Sequence, residues 1–190
     1  MDAYLISFDN TEAAFAYKSD KQLKKARFLF SSMGNALLVK LGTRLTPWAI
    51  KAGLPVKSLI KATIFDQFVG GETLEETAKV ADNLEKFGVH VILDYGVEGK
   101  EGEENFDHSC NEFIRVLKYA ATQPNMPFIS IKITGFARFG LLEKLDKAAN
   151  GNSGFAGLVH MEVLSHDEKK EWERVVSRME KIISTAASTK

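Results

Sequence analysis

Lys132 is the residue whose position in this sequence most strongly indicates chemistry. It interrupts an isoleucine-rich run that predicts a β-strand over 128–134. A lysine inside such a strand costs on the order of several kcal/mol of desolvation unless a carboxylate or a ligand compensates its charge. Its ammonium would then bind an anionic substrate or act as a tuned amine. The alternatives are a buried ion pair with Asp94 or Glu98, or an edge strand that exposes Lys132 to water.

Asp94 and Glu98 are the carboxylates that the sequence places closest to this lysine. Asp94 ends a second apolar run, which predicts a strand over 89–95, and Glu98 follows in a glycine-rich loop. The carboxyl ends of parallel strands share one edge of a sheet, and ligands bind at that edge. Both carboxylates are therefore candidates for pairing with Lys132, for holding an arginine or for proton transfer. The spacing of the two acidic residues is weak as a motif by itself.

The common cofactor and metal motifs are missing from the sequence. The four histidines have no metal-ligand spacing, and Cys110 is the single cysteine, so no metal site is predicted. Gly70 and Gly71 are not followed by the Gly-Lys-Ser/Thr of a phosphate-binding loop, and no strand precedes a G-x-G-x-x-G. A Rossmann-type dinucleotide site is therefore not expected.

Strands and helices are predicted to alternate from residue 62 onward, whereas residues 1–61 predict an arm of helices. Within this arm, Thr46 and Pro47 are expected to open a short helix. Strict alternation indicates parallel strands joined by right-handed crossovers. The predicted strands are 63–69, 89–95 and 128–134, and the predicted helices are 73–87, 105–123, 139–149 and a last helix capped by Ser165 and Glu168.

The two faces of the third predicted strand differ in polarity. A parallel strand covered on both faces should be apolar on both. Here one face is apolar and the other polar, which is typical of a strand whose polar face looks into the mouth of a barrel. The two sets are Ile129, Ile131 and Ile133 against Ser130, Lys132 and Thr134.

Composition excludes several classes of protein. The chain has 190 residues, of which 45% are hydrophobic, enough for one good core. Its formal net charge is zero and its isoelectric point is near 6.9, so a nucleic-acid partner is not expected. No apolar run approaches the ~20 residues that cross a membrane. Acidic residues near the start are unlike a targeting peptide, and we expect a cytoplasmic location.

Three ordered motifs resemble the proline dehydrogenase family. They are TIFDQFVGGET at 63–73, VILDYGVE at 91–98 and ISIKIT at 129–134, the last followed by Arg138. Their order and spacing agree with the family over nearly the whole chain. Any one of these motifs alone would be unspecific.

This resemblance implies an α/β fold, a (β/α)8 barrel that holds FAD non-covalently and oxidises L-proline to Δ1-pyrroline-5-carboxylate. Electrons then pass to a quinone, with peripheral membrane association as a further expectation. In the family, the lysine at the position of Lys132 contacts the proline carboxylate. The glutamate at the position of Glu98 pairs with an arginine that closes over the substrate, and Asp94 matches by position.

Length is where the sequence departs from the family. A (β/α)8 barrel takes ~250 residues, more than the 190 residues present. We therefore expect an incomplete barrel over 62–190 that ends before the fourth strand, lacks most of the flavin site and is inactive by itself. Two alternatives stay open: a lyase that uses Lys132 to form a Schiff base, and a non-catalytic half barrel that associates through open sheet edges.

Overall fold

A computed structural model describes residues 9–96, 100–149 and 161–189. These residues form mostly helices and one small parallel sheet, which is compatible with part of an α/β fold. By its internal contacts the chain divides into two compact units between Val89 and His90. Among the described residues, no helix combines the length and the apolar character needed to cross a membrane.

The regular secondary structure in the described part of the first unit is all helical. Its longer helices begin at polar residues that accept backbone hydrogen bonds: Ser19 and Gln22 form a capping box, and Thr73 accepts from Glu76 N–H over 3.2 Å. The bounds are α1 Thr11–Ala14, α2 Asp20–Met33, α3 Ala36–Lys51, α4 Val56–Ile60, a π-helix Lys61–Phe65, α5 Asp66–Phe68 and α6 Leu74–Glu85.

The strand predicted over 63–69 is wrong, because these residues are mainly helical. A short apolar run does not distinguish a strand from a helix by its periodicity. Here the Thr63 hydroxyl donates to the carbonyl of Leu59 over 2.6 Å, a bond that suits threonine in a helix. The carboxylate of Asp66 also forms an ion pair with Lys25, with 2.6 Å between Oδ2 of Asp66 and Nζ of Lys25. The described residues consequently contain two strands rather than the three expected.

The short helix predicted to start at Pro47 is also wrong. Pro47 lies inside α3, which begins after Asn35. The Asn35 side chain accepts from the N–H groups of Leu37 and Leu38 over 3.1 and 3.3 Å, and this cap sets the start of the helix. Proline has no N–H to donate, so α3 continues past Pro47 with one backbone hydrogen bond fewer.

In the second unit, the two strands of the sheet are β1 Ile92–Asp94 and β2 Phe128–Ser130. They pair in parallel, with Leu93 opposite Ile129, so the parallel relation predicted for this pair is confirmed. The helices of the unit are α7 Glu103–Ala120, a 3₁₀ helix Ile133–Gly135, α8 Phe139–Ala149, a 3₁₀ helix Met161–Val163 and α9 His166–Ser188. Ser165 and Glu168 form the predicted capping box at the start of α9.

The core of this unit lies between the sheet and the helices α7, α8 and α9. Phe113 is fully buried at its centre and makes edge-to-face contacts with Tyr95 and Phe136, at centroid distances of 6.0 and 6.1 Å. Ile129 and Ile131 pack against the same cluster. The helices therefore cover one face of the sheet. The opposite face, which carries the exposed side chains of Ile92 and Phe128, is uncovered.

Candidate functional site

Asp94 and Lys132 meet at the carboxyl edge of the sheet. Asp94 is the last residue of β1 and lies opposite Ser130, the last residue of β2. Lys132 follows two residues later, in extended conformation. Its Nζ is 3.3 Å from Oδ2 of Asp94, so the two predicted residues form an ion pair.

This ion pair is open to solvent. The side chain of Lys132 is 39% exposed and that of Asp94 is 48% exposed. The lysine is therefore not desolvated, which agrees with the alternative of a strand that exposes Lys132 to water, since only one face of the sheet is covered. A half-exposed pair contributes little to folding and leaves both charged groups accessible to a small ligand.

The uncovered face of the sheet is apolar at one end and charged at the other. Leu93 is buried against the helices, which turns Ile92 and Asp94 to the opposite face. Ile92 pairs with Phe128 in the register of the sheet, and the two side chains are 63% and 67% exposed. An apolar floor next to a lysine–aspartate pair suits a small zwitterion with an apolar body.

Arg138 does not join this pair, although the sequence places it after the same strand. Its Nε and Nη2 donate to the carboxylate of Glu171 in α9 over 3.0 and 2.8 Å. The hydrogen bond to Glu171 is the main cause that raises the pKa of Arg138 above its usual value. Glu98, the remaining predicted substrate-binding residue, lies outside the described residues.

Arg178 is a buried charged residue of this region that was not predicted from the sequence. It is 3% exposed and lies in α9, facing α7. Its Nε donates to Asp107 over 2.8 Å, and its Nη2 donates to Glu103. Burial lowers the pKa of Arg178, but the hydrogen bonds to these carboxylates outweigh burial and raise it overall. A signal was present: Arg178 follows the buried Val175 by three residues, on the same face of the helix.

The described residues do not fit a flavin site by themselves. Both cations that follow β2 are paired, Lys132 with Asp94 and Arg138 with Glu171. The pyrophosphate of FAD carries two negative charges, so binding it at this edge would need both cations to exchange their carboxylate partners, whereas a single carboxylate needs Lys132 alone. Within the described ranges there is also no group of histidine, cysteine and acidic side chains suited to hold a metal ion.

Comparisons with known proteins agree with the resemblance seen in the motifs. The chain is 36% identical over 99 residues to proline dehydrogenase 1 of Dictyostelium discoideum, covering 50% of this chain and 17% of that protein. It is 37% identical over 95 residues to proline dehydrogenase 1 of Caenorhabditis elegans, covering 49% of this chain and 15% of that protein. The chain is similar to proline dehydrogenases. The predicted family resemblance is confirmed.

A longer alignment matches the chain to a hydroxyproline dehydrogenase. It is 25% identical over 174 residues to hydroxyproline dehydrogenase of Xenopus laevis, covering 83% of this chain and 35% of that protein. The chain thus spans between 15% and 35% of the length of these three relatives. No family model matches the chain. No solved structure matches it closely either.

Proposed function

We propose that this chain provides part of the substrate site of an enzyme that oxidises L-proline. The Lys132–Asp94 ion pair at the carboxyl edge of the sheet supports this function best. Proline is a zwitterion, and the pair offers one cation and one anion beside the apolar side chains of Ile92 and Phe128. The similarity to proline dehydrogenases supports the same substrate.

Lys132 binds the proline carboxylate in this proposal. Its ammonium donates a charge-assisted hydrogen bond that contributes about 1.5–3 kcal/mol to binding. Asp94 orients the ammonium before proline arrives and then faces the positively charged ring nitrogen. Glu98 completes the substrate-binding set through an arginine that closes over proline, as the family resemblance implies.

The rest of the enzyme is part of the same proposal. Residues 1–61 form a helical arm, and residues 62–190 form part of a (β/α)8 barrel to which β1 and β2 contribute adjacent strands. By the family resemblance, FAD would supply the hydride-accepting chemistry in the whole enzyme, and a quinone at a membrane surface would be the electron acceptor. Because the described residues do not fit FAD, the isolated chain is expected to be colourless and inactive. The location remains predicted as cytoplasmic, with peripheral contact at the inner face of a membrane.

The Schiff-base alternative is less well supported by the geometry. An amine nucleophile must lose its proton. The carboxylate of Asp94, 3.3 Å from Lys132, instead stabilises the charged ammonium. Borohydride trapping with a carbonyl substrate would distinguish the two functions, since a lyase is trapped and a proline-binding site is not.

Association through the open sheet is a second candidate function. A specific observation favours it, because Ile92 and Phe128 expose a neighbouring pair of large apolar side chains on the uncovered face. Size-exclusion chromatography with light scattering over a range of protein concentrations tests it. A monomer at every concentration would leave the substrate site as the better account.

The proposed function is tested by binding of L-proline to the purified chain. We expect saturable binding in ligand-observed NMR that is weakened about tenfold to a hundredfold by Lys132→Met, since each 1.4 kcal/mol is a factor of ten. Lys118→Met is the matched control, because Lys118 is exposed on α7. Equal binding by both variants, or no binding by the unmodified chain, would contradict the proposal.

A further inference from the structure

The turn after β2 begins at Lys132 and is closed by local backbone hydrogen bonds. The N–H of Gly135 donates to the carbonyl of Lys132 over 2.9 Å. The N–H of Phe136 donates to the carbonyl of Ile133 over 3.0 Å. Because the first of these bonds ends on Lys132 itself, the conformation of the turn determines where the Lys132 backbone lies.

Arg178 connects this turn to the helices behind the sheet. Its Nη1 donates to the carbonyl of Phe136 over 3.3 Å, while its Nε and Nη2 donate to Asp107 and Glu103 in α7. Its guanidinium carbon lies 5.6 Å from the centre of the Phe106 ring. One buried side chain therefore reaches α7 and the turn at the same time, through donors spread over the planar fork of its guanidinium.

The same helix contacts the turn region at a second point. Glu171 in α9 holds Arg138, two residues beyond Phe136, through two hydrogen bonds. Phe136 is itself fully buried against Phe113. The segment after Lys132 is thus attached to α9 at both Phe136 and Arg138, whereas Lys132 remains half exposed at the edge of the sheet.

We infer that Arg178 is a positioning residue, which holds the turn after β2 and thereby keeps the Lys132 ammonium beside Asp94. The inference rests on the proposed function, in which Lys132 binds substrate. Arg178 does not contact the substrate in this account. Its effect on the site passes through the carbonyl of Phe136 and the hydrogen bonds of the turn.

A purely structural role for Arg178 makes a different prediction. If Arg178 only joined α9 to α7 through Glu103 and Asp107, its loss would weaken the whole unit evenly. If it positions the turn, its loss affects Gly135, Phe136 and Lys132 more than it affects the core of α7. Local opening of this kind is measured by amide hydrogen exchange under native conditions.

The experiment compares Arg178→Met with Arg174→Met in the full chain. Arg174 is the matched control because it lies one turn away on α9 and also pairs with Glu103, at 2.7 Å, but is half exposed. In Arg178→Met we expect exchange at Gly135 and Phe136 to accelerate about tenfold or more relative to Phe113. In Arg174→Met we expect no selective change.

The second readout is the NMR signal of the Lys132 side chain, labelled with ¹³C at Cε. The Arg178→Met variant should move this signal toward its position in Asp94→Asn, because the ammonium leaves its carboxylate. Even acceleration of exchange across the unit, or an unchanged Lys132 signal, would overturn the inference.

A further variant, Arg178→Lys, covers the case in which Arg178→Met does not fold. Lysine keeps the charge but carries its donors on one nitrogen, whereas Arg178 uses three separate nitrogens for Asp107, Phe136 and Glu103. We expect the same selective release of the turn, and full protection of Gly135 and Phe136 in this variant would refute the inference. Proline binding is measured separately: its absence from the unmodified chain contradicts the proposed function alone, since neither readout requires proline.

Discussion

Removing the charge of Lys132 should leave the folded chain almost as stable as before. Two unit charges 3.3 Å apart attract by about 1.3 kcal/mol at the dielectric constant of water. Side-chain entropy and salt oppose part of that attraction, and exposed pairs typically retain about 0.2–1 kcal/mol. Lys132→Met keeps the length of the side chain. The expected loss in the free energy of unfolding is therefore below about 1 kcal/mol.

A double-mutant cycle measures this contribution directly. Lys132→Met, Asp94→Asn and the double variant, each carrying Trp48→Phe, are unfolded in urea and followed by circular dichroism and by Trp172 fluorescence, because Trp172 packs against the core of the same unit. The coupling energy between the two sites should be at most about 1 kcal/mol and should decrease in high salt. A coupling or a single-variant loss of about 3 kcal/mol or more would show that the pair is a structural ion pair.

Three further predictions concern the core and the capping of the second unit. Phe113→Ala should lower the free energy of unfolding by about 3–5 kcal/mol in urea titrations, because it removes a fully buried ring; a loss under about 1.5 kcal/mol would contradict this packing. Burial raises the pKa of the Cys110 thiol, so it should react with Ellman's reagent far more slowly in the folded chain than in urea, and equal rates would contradict its burial. Hydrogen bonds from Lys144 and from Ser165 lower the pKa of Glu168 from 4.5 to about 2, so its stabilising effect should be complete above pH 4.5 and lost as the pH falls toward 2. Melting temperatures of Glu168→Gln and the unmodified chain should converge over that range, and a constant difference would refute the assignment.

The sequence predicted the elements of the second unit where its signals are local or strongly periodic, although the strands predicted over 89–95 and 128–134 are only three residues long. The Ser165–Glu168 capping box and the alternation around Leu93 each depend on residues close together in the chain. The parallel pairing of β1 and β2 followed from the helix between them, since a crossover of that length imposes it. The meeting of Asp94 and Lys132 followed from the same topology.

Other features depended on tertiary contacts that no local pattern contains. The run 63–69 has β-branched residues, but its environment favours a π-helix and a short α-helix. The strand pattern left open whether Lys132 is desolvated or exposed to water, and the uncovered face of the sheet leaves it half exposed. The spacing of Arg178 from Val175 indicated a position on the buried face of α9, but its partners Glu103 and Asp107 are more than 70 residues away in the chain, and no local pattern identifies them.

The central claim, that Lys132 binds the carboxylate of proline, is tested most directly by titrating the Lys132-labelled chain with L-proline and with pyrrolidine. Pyrrolidine has the same ring and charged nitrogen but no carboxylate. We predict that the ¹³Cε signal of Lys132 shifts saturably with L-proline and does not shift with pyrrolidine. A signal that shifts with neither compound, or that shifts equally with both, would contradict the assignment of Lys132 as the carboxylate-binding residue.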